Sequence, residues 1–182
     1  MPRYVALLRA INVGGHVIKM DLLRREFEAL GFSNVETFIA SGNVIFDSRS
    51  QNAQALEKRI EARLGAAFNY PVSTFLRTPA ELAKIVQHQP FAPAELNAPG
   101  STLYIGFLSA PPETAAQERI VACRTAVDDF HVHKRELYWL CRKRLGESLV
   151  SGPALAKALG MPTTMRNVTT IRRLTEKYAQ TR

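Results

Sequence analysis

Two short loops near the start of the sequence contain residues that can bind an anion. The first loop, RAINVGGH, runs from Arg9 to His16 after an apolar stretch. Gly14 and Gly15 allow positive φ values, which turn successive backbone N–H groups toward one point, and Arg9 adds a positive charge. A helix is predicted after the loop, and its N-terminal dipole also attracts negative charge. These features predict a phosphate site, but the loop matches neither GxGxxG nor the Walker sequence, so a strand-to-helix turn is the alternative.

The second loop has the sequence SGN at residues 41–43. The side chains of Ser41 and Asn43 can donate hydrogen bonds to a ligand, or they can cap their own turn. We combine the two loops into one set, called the first candidate site: Arg9, Asn12, Gly14, Gly15, Ser41, Gly42 and Asn43.

A third polar segment, TTMRN, occupies residues 163–167 immediately before the last predicted helix. Thr164, Arg166 and Asn167 form the second candidate site, where a hydroxyl, a guanidinium and helix N–H groups converge on a phosphate or a carboxylate. The alternative is that the threonines pair in a strand and Arg166 faces solvent. If the two halves of the chain pack face to face, we expect the two candidate sites to line one cleft.

The excess positive charge lies entirely at the C-terminal end of the chain. Residues 1–133 have 13 basic and 13 acidic side chains, whereas residues 134–182 have 11 basic and 3 acidic. A basic segment attracts phosphate-bearing small molecules or nucleic acid. Tyr138 and Trp139 lie beside the basic residues 142–144 and point to opposite faces of a strand. One of the two rings is expected to lie in the core, and the other is a candidate for base stacking if it is exposed.

Asp129, His131 and His133 alternate along a predicted strand and so share one face. This spacing is compatible with a metal site, but no further ligand is evident nearby in the sequence. We predict no metal and no cofactor, and we assign no role to His16 or His88.

The sequence has no GxSxG, no HExxH and no paired carboxylates on a helix face, so it identifies no catalytic residue. The leading hypothesis is a protein that binds an anionic, phosphate-bearing ligand, such as a nucleotide or nucleic acid. The second is an enzyme acting on an anionic small molecule, with Arg9 and Arg166 as electrostatic stabilisers. The third is a structural or protein-interaction module in which the loops are only turns.

Hydrophobic spacing predicts the elements that hold these residues in place. In the first half, apolar runs and helical repeats follow the order βαββαβ, with a further helix after them. The predicted segments are 4–10, 20–30, 35–40, 44–47, 56–64, 70–77 and 78–88. Thr78 and Glu81 have the spacing of a capping box at the start of the last helix. This order is that of the split βαβ, ferredoxin-like fold, an antiparallel sheet with helices on one face.

The order partly repeats after a proline-rich linker at residues 89–100. The segments of the second half are 102–109, 113–127, 130–133, 137–141, 152–160 and 168–178, and MPTTMR supplies its last strand. We therefore predict an α+β protein with two ferredoxin-like halves that arose by internal duplication. The predicted domains are residues 1–88 and residues 101–182, of which the second is basic.

The two cysteines, Cys123 and Cys141, form no CxxC pair, and we predict free thiols in a reducing cytosol. No apolar run reaches the roughly 18–20 residues that span a bilayer. No signal peptide is recognised either. We therefore predict a cytoplasmic protein with no membrane partner. The sequence leaves its oligomeric state open.

Five separated segments occur in a fixed order along the chain: RAINVGG from Arg9, LGF from Leu30, SGNV from Ser41, ELYWLC from Glu136 and TTMRNVTTIRRL from Thr163. Together they resemble a bacterial family known as domain of unknown function 1697. The resemblance implies a two-part α+β fold with ferredoxin-like halves, and it implies no activity. The family usually has glycine where this chain has Ala10, and an aromatic residue where it has Val168.

Overall fold

The computed structural model describes residues 1–178, except for the side chain of Leu145. The chain divides into two compact units, the first formed by Met1–Leu82 and the second beginning at Ala83. Each unit has its own four-stranded antiparallel sheet. None of the helices in the described part of the chain combines the length and the apolar character needed to cross a bilayer.

The first unit has its elements in the predicted order. Its strands are β1 (Arg3–Leu8), β2 (Ser33–Thr37), β3 (Asn43–Asp47) and β4 (Thr74–Arg77); its helices are α1 (Met20–Ala29) and α2 (Ala53–Phe68), and α3 (Pro79–Gln87) begins in it. The strands lie in the order β2-β3-β1-β4, and all neighbours are antiparallel. This confirms the ferredoxin-like arrangement predicted for the first half.

Apolar side chains of α1 and α2 pack on one face of the first sheet. Leu23 and Phe27 of α1 are fully buried, since residues four apart lie on the same face of a helix. They belong to a core cluster with alternate strand residues: Tyr4, Ala6, Leu8, Val44 and Phe46. Burial of one large apolar side chain stabilises the fold by about 1.5–3 kcal/mol, so this cluster contributes strongly to the stability of the unit.

The predicted capping box at the start of α3 is present. The Thr78 N–H donates to the Glu81 carboxylate at 2.7 Å, and the Glu81 N–H donates to the Thr78 hydroxyl at 3.2 Å. These two bonds satisfy backbone donors that have no partner inside the helix. The sequence therefore fixes the first residue of α3, the helix that leads out of the first unit.

The second unit repeats the same topology. Its elements are α4 (Pro93–Leu96), β5 (Thr102–Phe107), α5 (Thr114–Ala122), β6 (Asp128–His133), β7 (Glu136–Cys141), α6 (Gly152–Leu159), β8 (Thr164–Asn167) and α7 (Val168–Tyr178). The strand order is β6-β7-β5-β8, again antiparallel throughout. The proline-rich segment 89–100 lies within this unit and contains α4. β8 is the strand predicted from MPTTMR, and both cysteines are free thiols.

The aromatic pair on β7 is buried on both faces of the second sheet. Trp139 is 3% exposed and packs in the core cluster with Phe130, whereas Tyr138 is completely buried on the opposite face. The Tyr138 hydroxyl donates to the Ile85 carbonyl at 3.0 Å, and burial raises the pKa of Tyr138. Neither ring is therefore exposed, and the prediction of a candidate for base stacking at this pair is wrong.

The buried carboxylate of Asp128, at the start of β6, accepts hydrogen bonds from three neighbouring side chains. Asp128 is 1% exposed and accepts hydrogen bonds from the Trp139 indole N–H at 2.8 Å and the Ser148 hydroxyl at 2.8 Å. The Thr125 hydroxyl donates to its other oxygen at 2.9 Å. A buried charge is tolerated only when it is well hydrogen-bonded, and Asp128 meets this condition with three donors.

The edge strand β2 contains a β-bulge. Ser33 pairs with Asp47 and Glu36 pairs with Ile45, so β2 has one residue more than β3 between these two pairs. Asn34, inside the bulge, has a φ of 50° and donates through its side chain to the Asp47 carboxylate at 2.8 Å. The same carboxylate accepts from the Arg3 guanidinium, which lowers the pKa of Asp47.

Candidate functional site

Two loops of the first unit meet at one end of the sheet. We call residues 9–19, between β1 and α1, the glycine loop, and residues 38–42, between β2 and β3, the SGN loop. Because β1 and β3 are antiparallel neighbours, the end of one strand lies beside the start of the other. The Leu8 N–H accordingly donates to the Gly42 carbonyl at 2.9 Å. The fold therefore brings the two loops together at Leu8 and Gly42.

Asn12 and Gly42 hold the two loops against each other. The Asn12 amide donates to the Ala40 carbonyl at 3.0 Å and accepts from the Ile18 N–H at 2.6 Å. Gly42 has a φ of 77°, and a Cβ atom built on it would lie 2.8 Å from the Cβ of buried Ile11. Gly42 is therefore required by close contact as well as by its backbone conformation.

Asn43 and Ser41 are bonded within their own turn. Asn43 is fully buried, and its amide donates to the Phe38 carbonyl at 3.0 Å and to the Ser41 hydroxyl at 2.8 Å. The Phe38 N–H in turn donates to the Asn43 carbonyl at 2.9 Å. These contacts close the SGN loop and fix the position of Ser41.

The tip of the glycine loop is exposed. Gly14 and Gly15 have φ values of 60° and 87°, and a Cβ atom built on either would meet nothing within 4 Å. The His16 ring stacks on the Tyr70 ring with 3.9 Å between centroids, and the Tyr70 hydroxyl donates to the Ala10 carbonyl at 3.1 Å. Burial raises the pKa of Tyr70, which keeps its hydroxyl protonated as a donor. The tip of the glycine loop is therefore exposed, whereas the hydrogen bond from Tyr70 holds the start of the loop in place.

Arg9 is half-buried at the beginning of the glycine loop. Its backbone N–H donates to the Ser73 carbonyl at 2.9 Å. Its guanidinium forms no hydrogen bond or ion pair with any residue in the described part of the chain. A half-buried guanidinium without a partner can form charge-assisted hydrogen bonds to an anion.

The backbone of both loops is strained. Six of the twelve described residues with positive φ lie in them, including Ala10 at 63° and Ile39 at 50°. A positive φ is rare for residues other than glycine and is an outlier for a β-branched residue. Such strain persists only where the surroundings impose it, and it is concentrated at functional sites.

Replacing Ala10 with glycine is expected to raise the free energy of unfolding by about 0.5–1 kcal/mol. The left-handed conformation at Ala10 disfavours a side chain by about 1–2 kcal/mol, and the extra freedom of glycine in the unfolded chain offsets part of this gain. Chemical denaturation measures the effect. Ala62→Gly, at an exposed position inside α2, is the matched control and should lower stability by about 1 kcal/mol. A similar loss in both variants would contradict the assigned backbone conformation.

The second candidate site is buried and bonded internally. Arg166 is 8% exposed, and its guanidinium donates to the Thr164 hydroxyl at 2.8 Å and to the Met165 carbonyl at 2.9 Å. Burial lowers the pKa of Arg166 to about 10, so it remains a cation at neutral pH. The Asn167 side chain accepts from the Thr169 N–H at 2.8 Å and caps α7. These residues lie in the second unit, whereas the first candidate site lies in the first unit.

The second unit contains a histidine cluster that the sequence analysis missed. His88, His131 and His133 each offer a ring nitrogen, and the three nitrogens lie within 4.8 Å of one another. Burial and the other two histidines lower the pKa of His88, and burial also lowers the pKa of His131. The alternation of His131 and His133 was the only sequence signal, because His88 is remote in the chain.

An open cavity of about 690 Å³ lies at another part of the first unit. It is lined by Met1, Leu30, Gly31, Phe32, Ser33, Ser48, Arg49, Ser50 and Arg59. The Arg59 guanidinium donates to the Leu30 carbonyl at 2.9 Å and lies 5.7 Å from the centroid of the Phe32 ring. Arg59 therefore already has partners, and Arg49 is a second cation in the lining of the cavity.

Comparisons with known proteins agree with this architecture. The sequence profile of a family described as Protein of unknown function (DUF1697) matches residues 1–138, which include the glycine loop and the SGN loop. No curated protein matches the sequence. A solved structure, that of a conserved bacterial protein from Streptococcus pneumoniae, is similar over 99% of both chains, with a TM-score of 0.70 and 23% identity. The similarity to that structure is one of fold.

Proposed function

The chain belongs to the DUF1697 family of proteins of unknown function, and we propose that it binds a small phosphate-bearing ligand at the glycine loop. The half-buried Arg9 guanidinium, which has no partner among the described residues, is the observation that carries this proposal. Gly14 and Gly15 of the same loop have exposed backbone and positive φ values, the conformation in which successive N–H groups can turn toward an anion. The phosphate would accept hydrogen bonds from both groups.

A comparison of the two units supports a functional role for these loops. Both units have the same strand order, yet the first strand-to-helix loop has eleven residues in the first unit and six in the second. The hairpin loop has five residues in the first unit and two in the second. Much shorter loops are therefore sufficient to connect the strands and helices of this topology. Long ordered loops beyond what a fold requires are typical of binding sites.

The contacts of the second unit favour a small ligand over nucleic acid. Nucleic-acid binding without sequence preference relies on exposed aromatic rings beside a basic groove. Tyr138 and Trp139 are buried, and Arg142 is paired with Glu95 at 2.6 Å and with Asp129 at 3.2 Å. This aromatic pair therefore offers no stacking surface beside the basic residues 142–144, and the charge of Arg142 is already neutralised.

Thermal shift assays with inorganic phosphate, nucleotides, sugar phosphates and an oligonucleotide test this proposal. A ligand at one hundred times its dissociation constant adds about 2.7 kcal/mol to the free energy of unfolding, so a binder raises the melting temperature. Arg9→Ala should weaken binding by about 10–100-fold, because a hydrogen bond to a charged group contributes about 1.5–3 kcal/mol. Arg172→Ala is the matched control, since it removes the same charge from an exposed position on α7.

Three results would overturn the proposal. The first is the absence of a shift with every phosphate compound in the panel. The second is a shift that Arg9→Ala preserves and Arg59→Ala abolishes, which would assign the ligand to the cavity at Arg59 instead. A shift found only with the oligonucleotide, and lost steeply as salt increases, would also contradict a small-ligand site.

A further inference from the structure

We propose that His88, His131 and His133 form a binding site for one divalent transition-metal ion, of which zinc is the best fit. One ring nitrogen from each residue lies within 4.8 Å of the other two. Sets made only of imidazoles favour zinc, copper, nickel and cobalt over magnesium and calcium, which prefer oxygen ligands. The site lies in the second unit and is independent of the glycine loop.

The fold accounts for the position of all three rings. His131 and His133 are two residues apart on β6 and so point to the same side of the sheet. His88 follows α3, and its N–H donates to the Lys84 carbonyl at 3.1 Å, which continues the helical hydrogen bonding by one residue. The ring centroids of His88 and His133 are 4.0 Å apart, and those of His88 and His131 are 5.6 Å apart.

The Nε2 atom of His88 is an unsatisfied polar atom. It is buried and has no hydrogen-bond partner among the described residues. Leaving such an atom unpaired costs roughly 1–3 kcal/mol, so a native structure needs a reason to keep it. Coordination of a metal ion would satisfy this nitrogen and provide that reason.

Movement of the rings would convert the cluster into a coordination site. Tetrahedral zinc with Zn–N bonds of about 2.0–2.1 Å places its nitrogen ligands roughly 3.3 Å apart. The ring nitrogens lie within 4.8 Å of one another, so the imidazoles would turn about their side-chain bonds, and the His88 and His133 rings would leave their stacked arrangement. The fourth position of the ion would be left to water. Three protein ligands with one open position are typical of catalytic rather than structural zinc sites.

Asp129 is not a ligand in this arrangement, although it shares the strand face with His131 and His133. Its carboxylate accepts from the Arg124 guanidinium at 2.7 Å and from the Arg142 guanidinium at 3.2 Å. Two cations thus neutralise it and hold it. His88 replaces it as the third ligand, which sequence spacing alone could not reveal.

Metal titration of the full chain, without an affinity tag and after dialysis against a chelator, tests the proposal. Calorimetry with Zn²⁺ should give one ion per chain, and Co²⁺ should produce the visible absorption of a four-coordinate site. His88→Gln and His131→Gln should each weaken zinc binding at least about 100-fold, more than the loss of an outer hydrogen-bonding partner would. The chain has four histidines, so His16→Gln is the matched control and should bind zinc as the wild type does.

Circular dichroism of the metal-free variants shows whether each one is folded, which separates loss of a ligand from loss of the fold. His131 lies on the edge strand β6, so His131→Gln tests the site if His88→Gln does not fold. The proposal is overturned if wild-type protein binds neither Zn²⁺ nor Co²⁺. It is also overturned if folded His88→Gln binds zinc with unchanged affinity. Asp129→Asn is expected to have only a small effect on zinc binding, so loss of binding in this variant would overturn the proposal as well. An unchanged affinity in Asp129→Asn supports the three-histidine site.

Discussion

Replacing Gly42 with alanine is expected to lower the free energy of unfolding by about 2–4 kcal/mol. Two effects add at this position. A side chain at a φ of 77° costs about 1–2 kcal/mol. The new Cβ atom would also lie 2.8 Å from the Cβ and 2.9 Å from the Cγ1 of Ile11, and such overpacking costs about 1–3 kcal/mol. Chemical denaturation measures the loss.

Gly106→Ala is the matched control for this variant. A Cβ atom at Gly106 would lie 2.8 Å from the sulfur of Met165, a flexible side chain that can move aside, and the backbone there is not in the left-handed region. We therefore expect a loss below about 1 kcal/mol. The double variant Gly42→Ala/Ile11→Ala should lose less stability than the sum of the two single losses, because the two residues are in contact and their effects are not additive. A Gly42→Ala protein as stable as the wild type would refute the tight contact between the two loops.

Replacing Asp128 with alanine is expected to destabilise the second unit by about 3 kcal/mol. The substitution leaves the buried Trp139 indole N–H without its acceptor, and it also removes the acceptor of the half-buried Ser148 and the exposed Thr125 hydroxyls. Each orphaned donor costs free energy, although some gain new partners after relaxation. Trp139 is the single tryptophan of the chain, so its fluorescence reports the unfolding of this unit directly.

Asp128→Asn is the comparison variant for Asp128→Ala, because it keeps part of the hydrogen bonding and removes the charge. It keeps an oxygen that accepts from Trp139 and Ser148, but it removes the charge and replaces the oxygen that accepts from the exposed Thr125 hydroxyl with an amide NH2, so we expect a loss of about 1 kcal/mol. Equal losses in the alanine and asparagine variants would mean that the negative charge matters more than the hydrogen bonds. Stability unchanged by the alanine substitution would contradict the role assigned to this carboxylate.

Local patterns in the sequence were sufficient to predict the fold. The capping box at Thr78, the SGN hairpin and the strand at 164–167 each depend on residues close together in the chain. The strand order of each four-stranded sheet could be predicted as well. It follows from the order of the strands and helices along the chain, since the connections between them are short and place the helices on one sheet face.

The sites were only partly predictable, for a physical reason. The glycine and SGN loops meet because β1 and β3 pair, and the order of the elements predicts that pairing. The histidine cluster and the hydrogen bonds of Asp128 depend on side chains from elements that meet only after the sheet of the second unit has formed. Burial of Tyr138 was also missed, because alternation along a strand shows two faces and does not show that both are covered.

The bulge in β2 has a consequence for self-association. An edge strand offers unpaired N–H and C=O groups, which invite another chain to extend the sheet and to start aggregation. In β2 the extra residue twists the outer edge, and Asn34 ties the bulge to Asp47. Because Arg3 also binds Asp47, the irregularity is fixed to two neighbouring strands. The first sheet is thereby protected along this edge against the growth of intermolecular β-structure.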